Sequence, residues 1–546
     1  MVSAAMAASA YTGFDKILTE YVGGHGLYQL KTTLLLSPVY NMSGMFILLV
    51  VFSAYVPDHR CQVQLCDHQA QDQNGSIFDQ KWLQFAIPQK NMTSNFLAQK
   101  GNFDNCQMYQ SKGNECLVEN FGQNVTTCLD YVYDKTYYEE TIVTKLNLVC
   151  DKEYLKNILR QILILGLLFG SIIGGWLGDK FGRKKATFLA LLIMAPSVIL
   201  TGFVNSYVAY ATLHFIYSST LPIIWVNVIV YSSEIYSPSW RYGFTIANEV
   251  PIGALTLNLI AYLCSTWTMI HVITGVICAC MLPFYFSIPE SPRWLAQNGG
   301  EKEALKIILN MAQTNSKAIN DDAKEDIERI IQDMANQGKE GPKLTSLDLF
   351  KNGEWKKTLK LSFTWIGLCI SYYALSLNSS DLHGDIFVNF ALSRLTFLFY
   401  IPLILATSIY FGLKLSIGTI QILLGICCIV LAFIPKENTI GVLIVYLTSI
   451  VLAGTNFTTI YYYTGELYPT NLRSQAVGFL SMIARIFCLC APQLGVLAQI
   501  WQPFPMVIIG IPIIISGLVI FLLPSTHKRE LPGSINHAME LQQTFV

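Results

Sequence analysis

The sequence predicts an all-α membrane protein of twelve transmembrane helices in two six-helix halves. Three observations carry that prediction. Only 13% of the 546 residues are charged and 52% are hydrophobic, whereas soluble globular chains hold about 25% charged residues. Apolar runs of the ~20 residues needed to cross a ~30 Å hydrocarbon core recur twelve times. One charged motif also occurs twice, six spans apart. The formal net charge is zero, which gives no reason to expect a nucleic-acid partner.

The apolar runs fall at 34–56, 157–177, 186–204, 208–232, 243–264, 268–287, 358–377, 386–410, 415–434, 440–463, 474–499 and 503–523. Residues 1–33 contain Asp15, Lys16, Glu20 and Lys31 and no long apolar run, so no cleavable signal peptide is expected. With both termini cytoplasmic, the short inner loops hold Lys180, Arg183, Lys184, Lys185, Arg241, Lys414 and Arg473, and the short outer loops only Lys436. That asymmetry predicts cytoplasmic segments at 1–33 and 524–546.

Two polar segments interrupt the pattern. Residues 57–153, after the first span, form an outer insert with Cys61, Cys66, Cys106, Cys116, Cys128 and Cys150. Six cysteines outside the cell imply three disulfides, with fifteen connectivities open. Asn74, Asn91 and Asn124 head glycosylation sequons in the same insert. The other eight cysteines lie in apolar runs without metal-ligand spacing and read as packing residues. The second polar segment, 288–357, separates spans 2–6 (157–287) from spans 7–12 (358–523). Its stretches "EKEALKIILNMAQ" and "DDAKEDIERIIQDMANQ" carry apolar residues at helical spacing, predicting two or three short amphipathic cytoplasmic helices.

The repeated motif ends spans four and ten. "SSEIYSPSWRYGF" and "TGELYPTNLRSQAVGF" each place an arginine seven residues after a glutamate, giving Glu234 with Arg241 and Glu466 with Arg473. Such parallel repeats mark transporters that bind substrate between their halves. The loop "GGWLGDKFGRKK" adds Gly175 and Gly178 for close helix approach, Asp179 at a helix end, and a basic turn with Arg183 and Lys184. These charges are expected to gate the cytoplasmic side by pairing with the Glu234 or Glu466 corner. The equivalent loop of the second half, "YFGLKLSIG", lacks the acid and the paired arginines.

The loop resembles the signature of the major facilitator superfamily. "FDKILTEYVGGHGLYQ" (14–29), "PDHRC" (57–61), "PESPRWL" (289–295), "YYALS" and "HGDIFVNF" (within 372–390), with the cysteine-rich insert, resemble the organic cation/anion/carnitine transporters over nearly the whole chain. The resemblance implies a major facilitator fold, residence in the plasma membrane, and transport of small organic ions by alternating access.

One arginine demands an explanation in its own right. Arg485, in "SMIARIFCLCAP", lies eleven residues into span eleven, about 16 Å deep at 1.5 Å per residue. A charge there costs at least ~3 kcal/mol unless it faces protein or a watery cavity. The resemblance sharpens its reading: cation-type members carry an aspartate at the position of Ile483, and anion- and carnitine-type members an arginine at that of Arg485. Glu249, in "IANEVPIG" of span five, is its candidate partner. Either the two separate to hold the ends of a zwitterion, or Glu249 neutralises Arg485 permanently. Trp225, Trp365, Tyr372, Tyr461 and Tyr462 match or neighbour aromatic positions of the family's cavity. Arg394, about 12 Å deep in span eight, is a second anion-attracting group or an anchor to the interface. His214 stands where the superfamily carries arginine, as a neutral core residue or a proton-linked group. Phe397 and Phe399 replace an acidic residue and a proline of the family, which weighs against a cation.

The leading expectation is a transporter of zwitterionic (carnitine-, betaine- or amino-acid-like) or anionic metabolites, with an organic cation transporter as the alternative. A receptor built on a transporter scaffold has no need of the gating charges. No H-E-x-x-H, G-x-S-x-G, P-loop or other cofactor motif is present, which argues against an enzyme or an ATP-driven pump. The expected partners are the bilayer, the substrate, and a coupling ion or exchanged metabolite of unspecified identity.

Overall fold

The computed structural model describes residues 13–67, 78, 80–89, 103–112, 115–237, 240, 251–340, 349–351, 354–377, 385–435, 438–468, 470–491, 501 and 503–525. Eight helical stretches among them are long and apolar enough to cross a membrane. The first half contains α1 (Leu27–Ser53), α2 (Glu153–Phe181), α3 (Arg183–Thr201), α4 (Tyr207–Ile235), α5 (Ile252–Leu263) and α6 (Trp267–Ala279). A linker of three helices follows: α7 (Pro292–Gln297), α8 (Glu301–Thr314) and α9 (Asp321–Glu340). The second half holds α10 (Trp355–Leu377), α11 (Ile386–Leu395), α12 (Phe397–Tyr410), α13 (Leu413–Phe433), α14 (Thr439–Leu467), α15 (Thr470–Cys488) and α16 (Phe504–Ile520). The helices α11 and α12 form one span broken at Thr396.

The helix ends differ from the apolar runs for local reasons. α1 starts at Leu27 rather than 34, because Asn315 of the linker accepts the Tyr28 N–H (2.9 Å) and caps it from a distant part of the chain. α15 stops at Cys488, just ahead of Pro492, before which a helical backbone is disfavoured.

The insert and the linker mark opposite ends of the molecule. In the insert, β1 (His59–Cys61) pairs antiparallel with β4 (Tyr131–Tyr133), and β2 (Gln107–Ser111) with β3 (Phe121–Thr127). The disulfides are Cys61–Cys128, Cys66–Cys116 and Cys106–Cys150. They enclose a small core with Val63, Leu83 and Ile87. Asn124 is exposed on β3; Asn74 and Asn91 lie outside the described residues. Linker helix α8 turns Ala304, Ile307, Ile308 and Met311 inward.

Within the first half, α2 packs on α4 through a ladder of glycines at every fourth position. A methyl group on Gly166 would meet Ser218 Oγ at 1.9 Å, on Gly170 the Ser219 carbonyl at 1.9 Å, on Gly174 the Ile223 Cα at 3.0 Å, and on Gly178 Asn227 Oδ1 at 1.8 Å. Spacing of four puts all four on one face, and small residues let membrane helices approach closely. Asn227 Nδ2 then donates to the Gly174 carbonyl at 3.0 Å. Of the two glycines singled out in the sequence, Gly178 belongs to this ladder and Gly175 does not: nothing lies within 4 Å of its added methyl. Gly175 is one position off the contacting face. In the second half α13 meets α16 in the same way, with Gly425 against the Gly510 carbonyl at 2.7 Å. Gly170→Ala is expected to destabilise the protein by about 2–3 kcal/mol through overpacking, and Gly175→Ala to change it by under ~0.5 kcal/mol. Thermal unfolding of the detergent-purified protein distinguishes them; equal shifts would dismiss the ladder.

Candidate substrate site and gate

Arg485 sits in the last turn of α15 and is 5% exposed. Its Nη1 donates to Ser481 Oγ one turn earlier (2.5 Å), and its Nε has no hydrogen-bond partner. The guanidinium lies over the indole of Trp225, 5.8 Å from the ring centre. Trp225 belongs to α4, so this contact crosses from one half of the molecule to the other. Among the described residues, no carboxylate pairs with Arg485; Glu249 lies outside them. Burial without a counter-ion needs another source of negative potential. The last turn of a helix supplies one, worth up to ~2 kcal/mol in partly buried geometries, because its carbonyls lack intrahelical partners. Cation–π attraction adds a comparable amount when desolvated, about 2 kcal/mol.

Arg394 is arranged in the same way. It occupies the last turn of α11, where span eight breaks, and is 9% exposed. Its Nε donates to Ser393 Oγ (3.2 Å), its guanidinium covers Phe390 at 5.4 Å, and its Nη2 has no partner. That burial does not fit an anchor reaching the interface. Broken helices whose ends face a cavity are the usual substrate or ion sites of transporters.

The aromatic candidates collect along α10 and α14. Trp365 packs edge-on against Tyr461 (4.6 Å) and donates its N–H to Thr464 Oγ1 (3.1 Å). Tyr372 stacks on Phe457 (4.5 Å), which meets Tyr461 at 5.6 Å. The structure therefore joins Trp365, Tyr461 and Tyr372 through Phe457, a residue that sequence reasoning missed. Tyr373 was missed as well. Its phenol and that of Tyr461 lie within electrostatic reach of Arg485. A strict four-residue spacing from Tyr461 finds Phe457, whereas Tyr373 lies one position from Tyr372, off the face that Tyr372 shares with Trp365. Tyr462 is half-buried on the neighbouring position. His214 is fully buried, with Nδ1 2.9 Å from the Tyr217 hydroxyl and aromatic neighbours Tyr210 and Tyr217. This is the setting of a neutral core imidazole.

The halves also meet on the insert side. Gln161 Nε2 of α2 donates to the Leu489 carbonyl (3.0 Å), and Asn258 Nδ2 of α5 to the Phe387 carbonyl (3.1 Å). Phe52, Tyr137, Tyr138 and Tyr262 surround Phe387.

On the linker side, the charges of the first half that the sequence offered as a gate converge. Arg183 binds Asp179 Oδ1 through Nη1 (2.6 Å) and Glu234 Oε1 through Nη2 (3.2 Å). Glu234 Oε2 accepts from Ser291 Oγ (2.5 Å), and Glu290 Oε1 accepts the N–H groups of Lys184 and Ser291 (3.0 Å each). Glu290 and Ser291 belong to "PESPRWL", which the sequence offered only as a family marker. Lys184 does not pair with a carboxylate in the corner: its ammonium lies over Tyr285 at 4.1 Å. Gly182 takes φ +99°, and a methyl there would strike Glu290 Oε2 at 2.2 Å. The second half is built differently. Lys357 pairs with buried Glu354, donates to the Leu467 carbonyl (3.0 Å) and lies over Tyr468 at 4.3 Å. It thus ties the start of α10 to the end of α14, next to Glu466 in sequence. Glu466 is half-buried on α14; Arg241 and the side chain of Arg473 lie outside the described residues. Arg183→Gln strands a buried Glu234 and should cost about 3 kcal/mol. Asp179 is 76% exposed, so Asp179→Asn should cost under ~1 kcal/mol. Melting temperatures of the two variants test this order.

A family model described as "Sugar (and other) transporter" matches residues 92–534. The chain is 27% identical to the organic cation transporter protein of Drosophila melanogaster, over 96% of this chain and 94% of that one. It is 30% identical to human solute carrier family 22 member 10, over 96% and 97%, and 25% identical to the beta-alanine transporter of Drosophila melanogaster, over 98% and 90%. Its fold is similar to the inward-open xylose transporter XylE of E. coli, with TM-score 0.62 and 14% identity over 95% of this chain and all of that one. The chain is a membrane transporter of the major facilitator superfamily's sugar (and other) transporter family, in the organic-ion branch formed by solute carrier family 22.

Proposed function

We propose that the protein carries small zwitterionic or anionic metabolites across the plasma membrane by alternating access, with both termini and the linker cytoplasmic. The supporting observation is the state of Arg485: a buried, permanently charged fork with one open donor, held between the halves and facing no described carboxylate. A substrate carboxylate is the natural missing partner, because it can accept from the planar guanidinium fork bidentately. Trp225, Tyr461 and Trp365 supply an apolar and π-rich wall for the rest of the molecule. Arg394 would attract the anion along the second half. Glu249 is assigned to the ammonium end of a zwitterion, a reading favoured by the likeness to a relative named for beta-alanine, itself a zwitterion. The likeness to a relative named for organic cations supports the second reading, a cation substrate lodged against the aromatic wall.

In alternating access, the contact over Trp225 must break or slide when the halves rock. A carboxylate bound to Arg485 changes that contact's balance, which links occupancy to movement. Glu234 and Arg183 would hold the first half's cytoplasmic corner while this happens.

Uptake into cells expressing wild type, Arg485→Lys, Arg485→Ala and Glu249→Gln, with surface expression measured in parallel, tests the reading. The labelled panel is one carboxylate, one betaine or amino acid, and one quaternary amine. Loss of a charge-assisted contact worth ~1.5–3 kcal/mol predicts about 10–100-fold lower carboxylate or betaine uptake in both arginine variants. Uptake of the amine that persists in Arg485→Ala would make Arg485 structural and the cation reading correct. Terminal tags should be inaccessible to antibody in intact cells, and Asn124→Gln should remove one glycan. A tag labelled from outside overturns the topology.

A further inference from the structure

Ahead of α1, residues 13–26 run along the linker as a strap. Phe14, Ile17, Leu18 and Val22 are buried, and the backbone over Ile17–Tyr21 forms a turn of π-helix, a form often found at functional sites. Gly23 (φ +95°) and Gly24 (φ +64°) then redirect the chain into α1. Asn315 ties this bend down, its Nδ2 donating to the Val22 carbonyl (3.1 Å) and Gln29 Oε1 (2.9 Å). The strap therefore couples the start of a transport helix to the linker.

Its polar fastening to α9 converges on one oxygen. Asp326 Oδ2 of α9 accepts both from Lys16 Nζ (2.7 Å) and from the Tyr21 hydroxyl (2.7 Å). Arg293 of α7 adds a longer contact to Asp15 (3.5 Å). The bond to Lys16, then that to Tyr21, holds Asp326 below the ordinary carboxylate value, and the bond to Asp326 raises Lys16 and Tyr21 above theirs. All three shifts favour the charge states that make the fastening and widen its range, so it persists down into the usual carboxylate range and up into the usual phenol range. Cytoplasmic pH changes do not open it. A chemical change at the phenol does.

We propose that Tyr21 is a phosphorylation site, and that a phosphate there releases the strap from α9. Tyr21 is only half-buried and directly follows Glu20 in "ILTEY". Its oxygen would attack the γ-phosphorus of a nucleoside triphosphate held by a tyrosine kinase; the bond to the nucleoside diphosphate breaks, and the phenolic proton passes to the kinase's base. The product exchanges a donor for a group of charge about −1.5 to −2 at pH 7, against the Asp326 carboxylate. Lys16 neutralises one of the two and not both. The regulatory meaning rests on the cytoplasmic placement proposed above, whose failure the tag experiment reads separately.

The test uses the full chain in nanodiscs, a recombinant tyrosine kinase and ATP, with mass spectrometry to locate the phosphate and hydrogen exchange to follow residues 14–22 and 321–331. A synthetic peptide of residues 13–26 serves as the kinase control. The expected result is a phosphate on Tyr21 and at least tenfold loss of protection in both segments. Tyr21→Phe keeps the Lys16–Asp326 pair and should stay within threefold of wild type. Tyr21→Glu should lower protection at least threefold without any kinase, while the melting temperature shows that the remainder is folded. The proposal is overturned if Tyr21 stays unmodified in the full chain, whether or not the peptide is modified. It is equally overturned if the phosphate is added, or Tyr21→Glu made, and protection does not change.

Discussion

Everything around the candidate substrate site depends on how a bilayer protein keeps permanent charge at depth. Arg485 and Arg394 cannot shed their protons, and neither pairs with a described carboxylate. What they share is position: each lies in the last turn of a helix, α15 and α11, and each is turned against an aromatic ring. The free carbonyls of a helix end carry about half a negative charge, and a ring face adds a second negative surface. Neither is a full counter-ion. That partial compensation is the useful property, since a fixed carboxylate would satisfy the guanidinium and leave nothing for a ligand to gain.

Such a site needs stiff walls. The glycine ladder between α2 and α4 and the Gly425–Gly510 contact between α13 and α16 bring backbones together at distances no other residue permits, giving each half a spine. Trp225 sits on one of these spines, midway between Ile223 and Asn227, which meet α2, so its backbone is held while Arg485 approaches from the other half. Rigid halves concentrate movement at the boundary between them. Among the described residues, that boundary includes two hydrogen bonds and a cluster of rings around Phe387 on the insert side, and the Arg485 guanidinium over the Trp225 indole at depth.

Much of this was legible in the sequence. Apolar run length gave the spans, and the doubled glutamate–arginine motif gave the halves, because both depend on residues close together in the chain. Arg485 was visible because a charge inside an apolar run contradicts its surroundings. What escaped reading were the contacts made by distant partners. The cap on α1 comes from Asn315, the charge cluster around Arg183 and Glu234 is completed by Glu290 and Ser291, and Phe457 bridges two helices. The glycines were seen in part: Gly178 was read correctly, but the register that makes Gly166, Gly170 and Gly174 its companions, and excludes Gly175, follows from a spacing of four. Glu249, on which the zwitterion reading leans most, falls outside the described residues.

The two linker-side corners carry the argument one step further. In the first half, Arg183 is shared between an exposed and a buried carboxylate, and Glu234 is shared in turn between Arg183 and Ser291. Losing any one link leaves the others in place. In the second half, the Lys357–Glu354 pair lies within one helical stretch and reaches the Leu467–Tyr468 corner through a backbone carbonyl and a ring. A pair local in sequence holds its own helix end and makes few demands on its neighbours. The first corner therefore binds a loop, a helix end and the linker into one unit, while the described ties of the second join two helices of the same half. If the halves rock, these ties favour a first half that moves as a block with the linker. In the second half, the broken span at Thr396 is the place where an internal adjustment costs least, and Arg394 stands beside it.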